Sequence, residues 1–184
     1  MSSPSSSTAA APIRKKSILA PPIRLLESLS TINQDDHGNT PRPSKSMLLF
    51  ISGMQSFTKD GGKTAEEKLT KANDEAVKSA DTEEMAVTAL GLGYCYSFES
   101  EKLERSLEHY QHSLSLWKKL HSAQSIKLIG LLGDISVIQL QLNQKQPALN
   151  TLLECQNIYK HANQDKSTNQ EYQSLQDAIK KLQQ

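Results

Sequence analysis

The chain has 184 residues, enough for one domain and a tail. Its 21 basic and 20 acidic residues nearly cancel, which argues against a dedicated nucleic-acid binder, whose surface would be strongly basic. Apolar residues make up 36 %, low for a chain folded throughout, and no apolar run reaches the roughly 18–20 residues needed to span a bilayer.

The halves differ in character. Residues 1–60 hold seven Lys/Arg and four Asp/Glu, whereas residues 61–184 hold fourteen and sixteen. Six of the seven prolines lie at or before Pro43, and Ser, Thr, Ala and Pro dominate the first dozen positions. Such a segment buries too little apolar surface to offset the entropy of ordering it, so residues 1–43 are expected to be a disordered, Ser/Pro-rich basic tail. Within it, Arg14-Lys15-Lys16-Ser17 sets a serine directly after a basic run. Ser17 is therefore the candidate regulatory residue, since a phosphate there would reverse the local charge. Ile18, Leu19, Ile23, Leu25 and Leu26 are apolar residues in an otherwise polar tail and suggest a docking segment. The first 26 residues contain Arg14, Lys15, Lys16 and Arg24 and no acid, which also fits a mitochondrial transit peptide, although four prolines oppose the amphipathic helix it needs.

From residue 44 apolar residues recur at spacings of three and four, and only Pro147 interrupts them. The pattern predicts an all-α domain over 44–184 with seven helices, at 45–58, 63–79, 82–97, 102–121, 123–142, 146–163 and 167–183. Gly61-Gly62 ends the first. Asp81 caps the third, with Glu84 three residues on as in a capping box. Pro147 sits in the first turn of the sixth, where its missing N–H costs nothing. Cys95 and Cys155 lack metal-type spacing and read as reduced, buried thiols of an intracellular protein.

Taken in pairs, the helices repeat. Leu90-Gly91 recurs 42 residues later as Leu132-Gly133, and Ser106, Tyr110, Ser113 and Leu116 recur at the same distance as Ala148, Leu152, Cys155 and Ile158. A weaker first copy has Leu49 and Phe50, then Ala65, Leu69, Ala72 and Ala76. Three hairpins result, followed by a seventh helix whose apolar residues, Tyr172, Leu175, Ile179 and Leu182, share one face, as a solenoid's terminal cap requires. Gly91 and Gly133 are expected where the helices of a hairpin cross, opposite the small residues Ser106 and Ala148. Tyr110, Trp117 and Tyr159 are expected to fill the gaps between hairpins.

Leu90-Gly91-x-x-Tyr94, followed in the next helix by Ser106-x-x-x-Tyr110-x-x-Ser113-x-x-Leu116, resembles the tetratricopeptide repeat over residues 46–162. The period is longer than the usual length of about 34 residues and closer to the 42-residue variants of scaffold and motor-adaptor proteins. The tryptophan and closing proline typical of that family's repeats are missing. The resemblance implies that the first helices of the hairpins line a concave groove holding a peptide or a partner helix. Carried over by phase, the groove residues are Met47, Ile51 and Gln55, then Thr88, Leu92 and Tyr96, then Lys127, Asp134 and Ile138. Such a groove is mainly apolar and suits an amphipathic helix or an extended apolar segment, unless these residues are core. Relatives that hold acidic chaperone C-termini use Lys, Arg and Asn on these helices, and here only Lys127 and Asn143 are near them. The segment Ile18–Leu29 is a candidate occupant in cis, released by phosphorylation near Ser17.

Two other patterns carry less. Gly61-Gly62-Lys63-Thr64 resembles the end of a phosphate-binding loop, but the glycine needed five residues before Gly62 is Phe57. His109 and His112 share a helix face, but the sequence positions no third ligand for a metal. The expectation is a non-catalytic protein-interaction adaptor or scaffold, without cofactor or metal, binding protein and not nucleic acid, with homo- or hetero-oligomers compatible with so short a stack. The alternative is a soluble assembly-factor or receptor subunit of an organelle-associated complex. The expected location is cytoplasmic, with mitochondrial or nuclear as alternatives.

Overall fold

The computed structural model describes residues 43–60, 63–164 and 169–184. The expectations placed on Ser17, on Ile18–Leu29 and on a transit peptide lie outside the described residues, as does Gly61-Gly62. Among the described residues are seven α-helices: α1 (Lys45–Asp60), α2 (Lys63–Ser79), α3 (Thr82–Tyr96), α4 (Leu103–Leu120), α5 (Ile129–Gln141), α6 (Lys145–His161) and α7 (Gln170–Gln183). Single 3-10 turns, Ser100–Lys102 and Ile126–Leu128, precede α4 and α5. There is no strand among these residues. The closest packing is within the pairs α1–α2, α3–α4 and α5–α6, and α7 packs on α6. This is the predicted all-α succession of three hairpins and a capping helix.

Local chemistry sets most boundaries. Asp81 Oδ1 accepts the backbone N–H groups of Glu83 and Glu84 at 2.9 and 3.0 Å and so caps α3. The reciprocal arm of the expected capping box does not form, because the Glu84 carboxylate instead accepts the Ser46 hydroxyl of α1 and ties the first hairpin to the second. Asn169 caps α7 in the same manner. α5 and α6 both end on an asparagine with positive φ, Asn143 at 59° and Asn163 at 54°. In each, the following N–H closes back on the helix, Gln144 to Gln139 and Gln164 to Tyr159, as in a Schellman end. The predicted fifth helix started too early. The Ser125 N–H bonds the Ser122 carbonyl and the Ser122 hydroxyl accepts the Gln124 N–H, so residues 122–125 turn before the helix begins.

Small residues bring the hairpins close. A Cβ on Gly93 would lie 2.6 Å from Cδ1 of Tyr110, so α3 and α4 cross at Gly93. The Ser106 hydroxyl donates to the Gly93 carbonyl at 2.7 Å, and Ser113 donates to the Ala86 carbonyl at 2.7 Å. Gly91, expected at this crossing, instead faces the preceding hairpin, where its Cβ would meet Phe50 Cε2 at 2.5 Å. Gly53 is the first-hairpin counterpart of Gly93, against Leu69 of α2. Its residue number sets the offset between α1 and α3 at 40.

Cys95 and Cys155 are free thiols inside this core. Burial pushes their pKa values up, to about 11 for Cys95 and about 12 for Cys155. In the unfolded chain a thiol ionises near pH 8.5. Below that pH both states keep the proton and the contribution to stability is constant. Above it the unfolded chain sheds protons that the folded chain retains, which favours unfolding. The urea midpoint is therefore expected to hold from pH 6 to 8 and to fall from about pH 8.5 towards 10.5. In Cys155→Ala, compared with its own midpoint at pH 7, the fall should be shallower; an equal fall in both proteins would contradict this account.

Candidate partner-binding surface

The nine residues assigned to a groove from sequence separate into two groups. On α1, Met47 is half-buried, while Ile51 and Gln55 are exposed. On α3, Thr88, Leu92 and Tyr96 are all buried, as are Asp134 and Ile138 on α5. Lys127 is exposed in the 3-10 turn before α5. The structure brings the α1 members to one open side and takes the five buried residues inside.

The orientation of α3 explains this. The Thr88 hydroxyl donates to the Glu84 carbonyl at 2.8 Å and lies 3.1 Å from Asn73 Oδ1 of α2. Tyr96 lies under both flanking elements. Its ring is 5.5 Å from that of His109 on α4, and Lys102 Nζ and Arg105 Cζ stand 5.5 and 5.4 Å from its centroid. Its hydroxyl bonds the Glu66 carboxylate of α2. Lys102 also bonds Glu66 at 2.7 Å and Glu99 at 3.0 Å. The Lys102 bond, aided by Tyr96 and Arg105, holds the Glu66 carboxyl below its ordinary range against the opposing effect of burial. This stripe of α3 thus lies beneath the seam between α2 and α4, which the ion pairs close.

Another side of α3 meets α1. Gly91 receives Phe50, and further along three rings gather: Phe57 of α1, Tyr94 of α3, and Phe98 just beyond α3. Phe57 and Phe98 stand 4.8 Å apart, Phe57 and Tyr94 5.5 Å, and Tyr94 and Phe98 5.1 Å, the last two pairs edge to face. Phe57 and Phe98 are only partly buried. On α1, Met47, Ile51 and Met54 follow one another at spacings of four and three and form one stripe leading towards Phe57. The stripe and rings span about 15 Å of helix at 1.5 Å per residue. Methionines and aromatic rings that keep part of their area in solvent suit adaptable apolar contact. The sequence reading missed this cluster because Phe57 and Phe98 lie at helix ends, outside the repeat pattern.

The remaining candidates are ordinary. His109 is half-buried against Tyr96, and burial lowers its pKa. His121 stacks on Trp117 at 5.4 Å. A cavity of about 400 Å³ lies between α5 and α7, lined by Leu140, Ser174, Asp177, Ala178, Lys181 and Leu182. No described helix is long and apolar enough to cross a membrane.

Residues 84–161 match the family model of the tetratricopeptide repeat. The match runs from the first turn of α3 to the last residue of α6, covering the second and third hairpins. No curated protein and no solved structure gave a match to the chain. Two successive helical hairpins, the first of them crossed at Gly93, are recognised by that model and make the α3–α6 stretch of this chain a tetratricopeptide repeat domain.

Proposed function

We propose that this protein is a non-catalytic adaptor or scaffold that binds a peptide or an amphipathic helix of another protein. Tetratricopeptide repeats are generally protein-interaction modules, and that supports the adaptor role. The observation that carries the proposed binding mode is the half-open ring cluster of Phe57, Tyr94 and Phe98 at the end of the Met47–Ile51–Met54 stripe. Large apolar side chains held rigidly at a surface give contact area at little entropic cost. The groove is thereby moved away from the Thr88–Leu92–Tyr96 and Asp134–Ile138 stripes, whose residues are already packed. Met47, Ile51, Met54, Phe57, Tyr94 and Phe98 include no Lys, Arg or Asn, which supports an apolar ligand over an acidic carboxyl terminus.

The test is selection from a random peptide library displayed on phage against the full chain. Enriched peptides are expected to carry large apolar residues at spacings of three and four. The double variant Phe57→Ser/Phe98→Ser should bind them about tenfold or more weakly, roughly the loss of one 1.4 kcal/mol increment, with its helical circular dichroism retained. Enrichment of acidic C-terminal peptides, or affinity unchanged in the folded double variant, would reject this surface.

A further inference from the structure

We propose that the outer face of α1, which carries Leu48, Ile51 and Gln55, is covered by residues 18–29 of the same chain, so that the tail serves as the N-terminal cap of the stack. The two ends of the solenoid differ. α7 closes the C-terminal end with an apolar face inward and Gln170, Glu171, Ser174, Asp177, Lys180 and Lys181 outward. At the other end, Leu48 is 55 % exposed and Ile51 42 %. A terminal repeat needs a polar outer face to remain soluble, and α1 does not supply one.

The second hairpin shows what is missing. At the 40-residue offset set by Gly53 and Gly93, Leu48 and Ile51 correspond to Thr88 and Gly91. Both of those are buried by the preceding hairpin, Thr88 beside Asn73 of α2 and Gly91 beneath Phe50 of α1. No described element stands before α1 to do the same for Leu48 and Ile51.

The chain outside the structure supplies an occupant. The residues before Pro43 join α1 at its own N-terminus. Their large apolar side chains are concentrated in Ile18, Leu19, Ile23, Leu25, Leu26 and Leu29. Residues 30–44 link that segment to α1. Fifteen residues reach about 50 Å when extended and about 20 Å on average as a flexible chain, against about 24 Å for a sixteen-residue helix. Either end of α1 is within reach, and a tether of this length gives an effective concentration on the order of millimolar. An apolar contact too weak to form between separate molecules is then populated within one. Ile51 belongs both to this face and to the Met47–Ile51–Met54 stripe, but the proposal rests on the exposure of Leu48 and Ile51 at the end of the stack and not on the adaptor role.

Hydrogen exchange on the full chain tests it. Amides of residues 23–29 are expected to exchange at least tenfold more slowly than in a free chain. Leu48→Gln/Ile51→Gln, a surface change that leaves the core intact, should return them to free-chain rates. Leu25→Asp/Leu26→Asp should in turn speed exchange along α1 about fivefold or more while leaving α5 unchanged. Free-chain rates for residues 23–29 in the unaltered protein would overturn the proposal. So would protection that survives Leu48→Gln/Ile51→Gln, which would place the segment elsewhere. A dimer seen by sedimentation that persists in Leu25→Asp/Leu26→Asp and is lost in Ile51→Asp would assign the face to a second copy and overturn it equally.

Discussion

Gly93→Ala is expected to destabilise the protein by about 2 kcal/mol, although alanine is the better helix former by about 1 kcal/mol. The added methyl would stand 2.6 Å from Cδ1 of Tyr110 and 2.9 Å from both Cγ and Cε1. Cγ is the root of the ring, so a ring flip or small rotation gives no relief. Tyr110 is itself almost wholly buried and has no free volume to enter. The helices cannot easily part either, because Ser106 and Ser113 of α4 hold carbonyl oxygens of α3 at 2.7 Å. The strain of overpacking a filled site, about 3 kcal/mol at the upper end, outweighs the gain in helix propensity. Gly91→Ala meets the far edge of the Phe50 ring, which has more room to swing, and should cost less. Urea denaturation of the two variants gives both numbers. A Gly93→Ala protein as stable as the parent, or a larger loss at Gly91, would show that the hairpin crossing has been misassigned.

The same two glycines show how far the fold was legible and where legibility stopped. Helices with one apolar face were read well. On α2 the stripe Ala65, Leu69, Ala72 and Ala76 is wholly buried, and on α7 Tyr172, Leu175 and Ile179 face inward. Their polar faces mark the rotation of each helix as well as its extent. α3 and α5 lack that mark. Residues 86–96 are buried without a break, and so are 131–136. A helix that is apolar all round announces that it is central but not which side meets which neighbour. The repeat phase was used to supply the missing rotation. It set Gly91 at the hairpin crossing and Thr88, Leu92 and Tyr96 on the open side, whereas with Phe50 fitted onto Gly91 and Tyr110 onto Gly93 all three are buried, Thr88 against α2 and Tyr96 against α4. The rotation is a tertiary property, decided by which large side chain meets which missing Cβ. α1 is not apolar all round, and of the three residues assigned there Ile51 and Gln55 are exposed and Met47 is half-buried.

Tyr159→Ala is expected to cost about 3–5 kcal/mol and, more tellingly, to release α7 before the rest of the domain. Tyr159 is 2 % exposed and among the largest fully enclosed side chains of the third hairpin. Its ring meets that of Tyr172 on α7 edge to face at 5.5 Å, and its hydroxyl donates to the Glu171 carboxylate at 3.1 Å. Burial first, and the Glu171 charge second, keep the phenol protonated well above its usual range, so it stays a donor throughout the working pH range. Within α7 these two residues are neighbours in the first turn, directly after the Asn169 cap. One side chain therefore holds the start of the capping helix by packing and by hydrogen bonding. In a stack whose units touch mainly their neighbours, loss of one interface is felt locally before it is felt globally. Hydrogen exchange of Tyr159→Ala should show α7 amides near free-chain rates while α3 and α4 keep most of their protection. Tyr159→Phe, which keeps the ring and removes the hydroxyl, should lose only about 1 kcal/mol and leave α7 protected. If Tyr159→Ala loosened α3 as much as α7, the seven helices would be unfolding as one unit, and α7 would be part of a bundle core and not the cap of a stack.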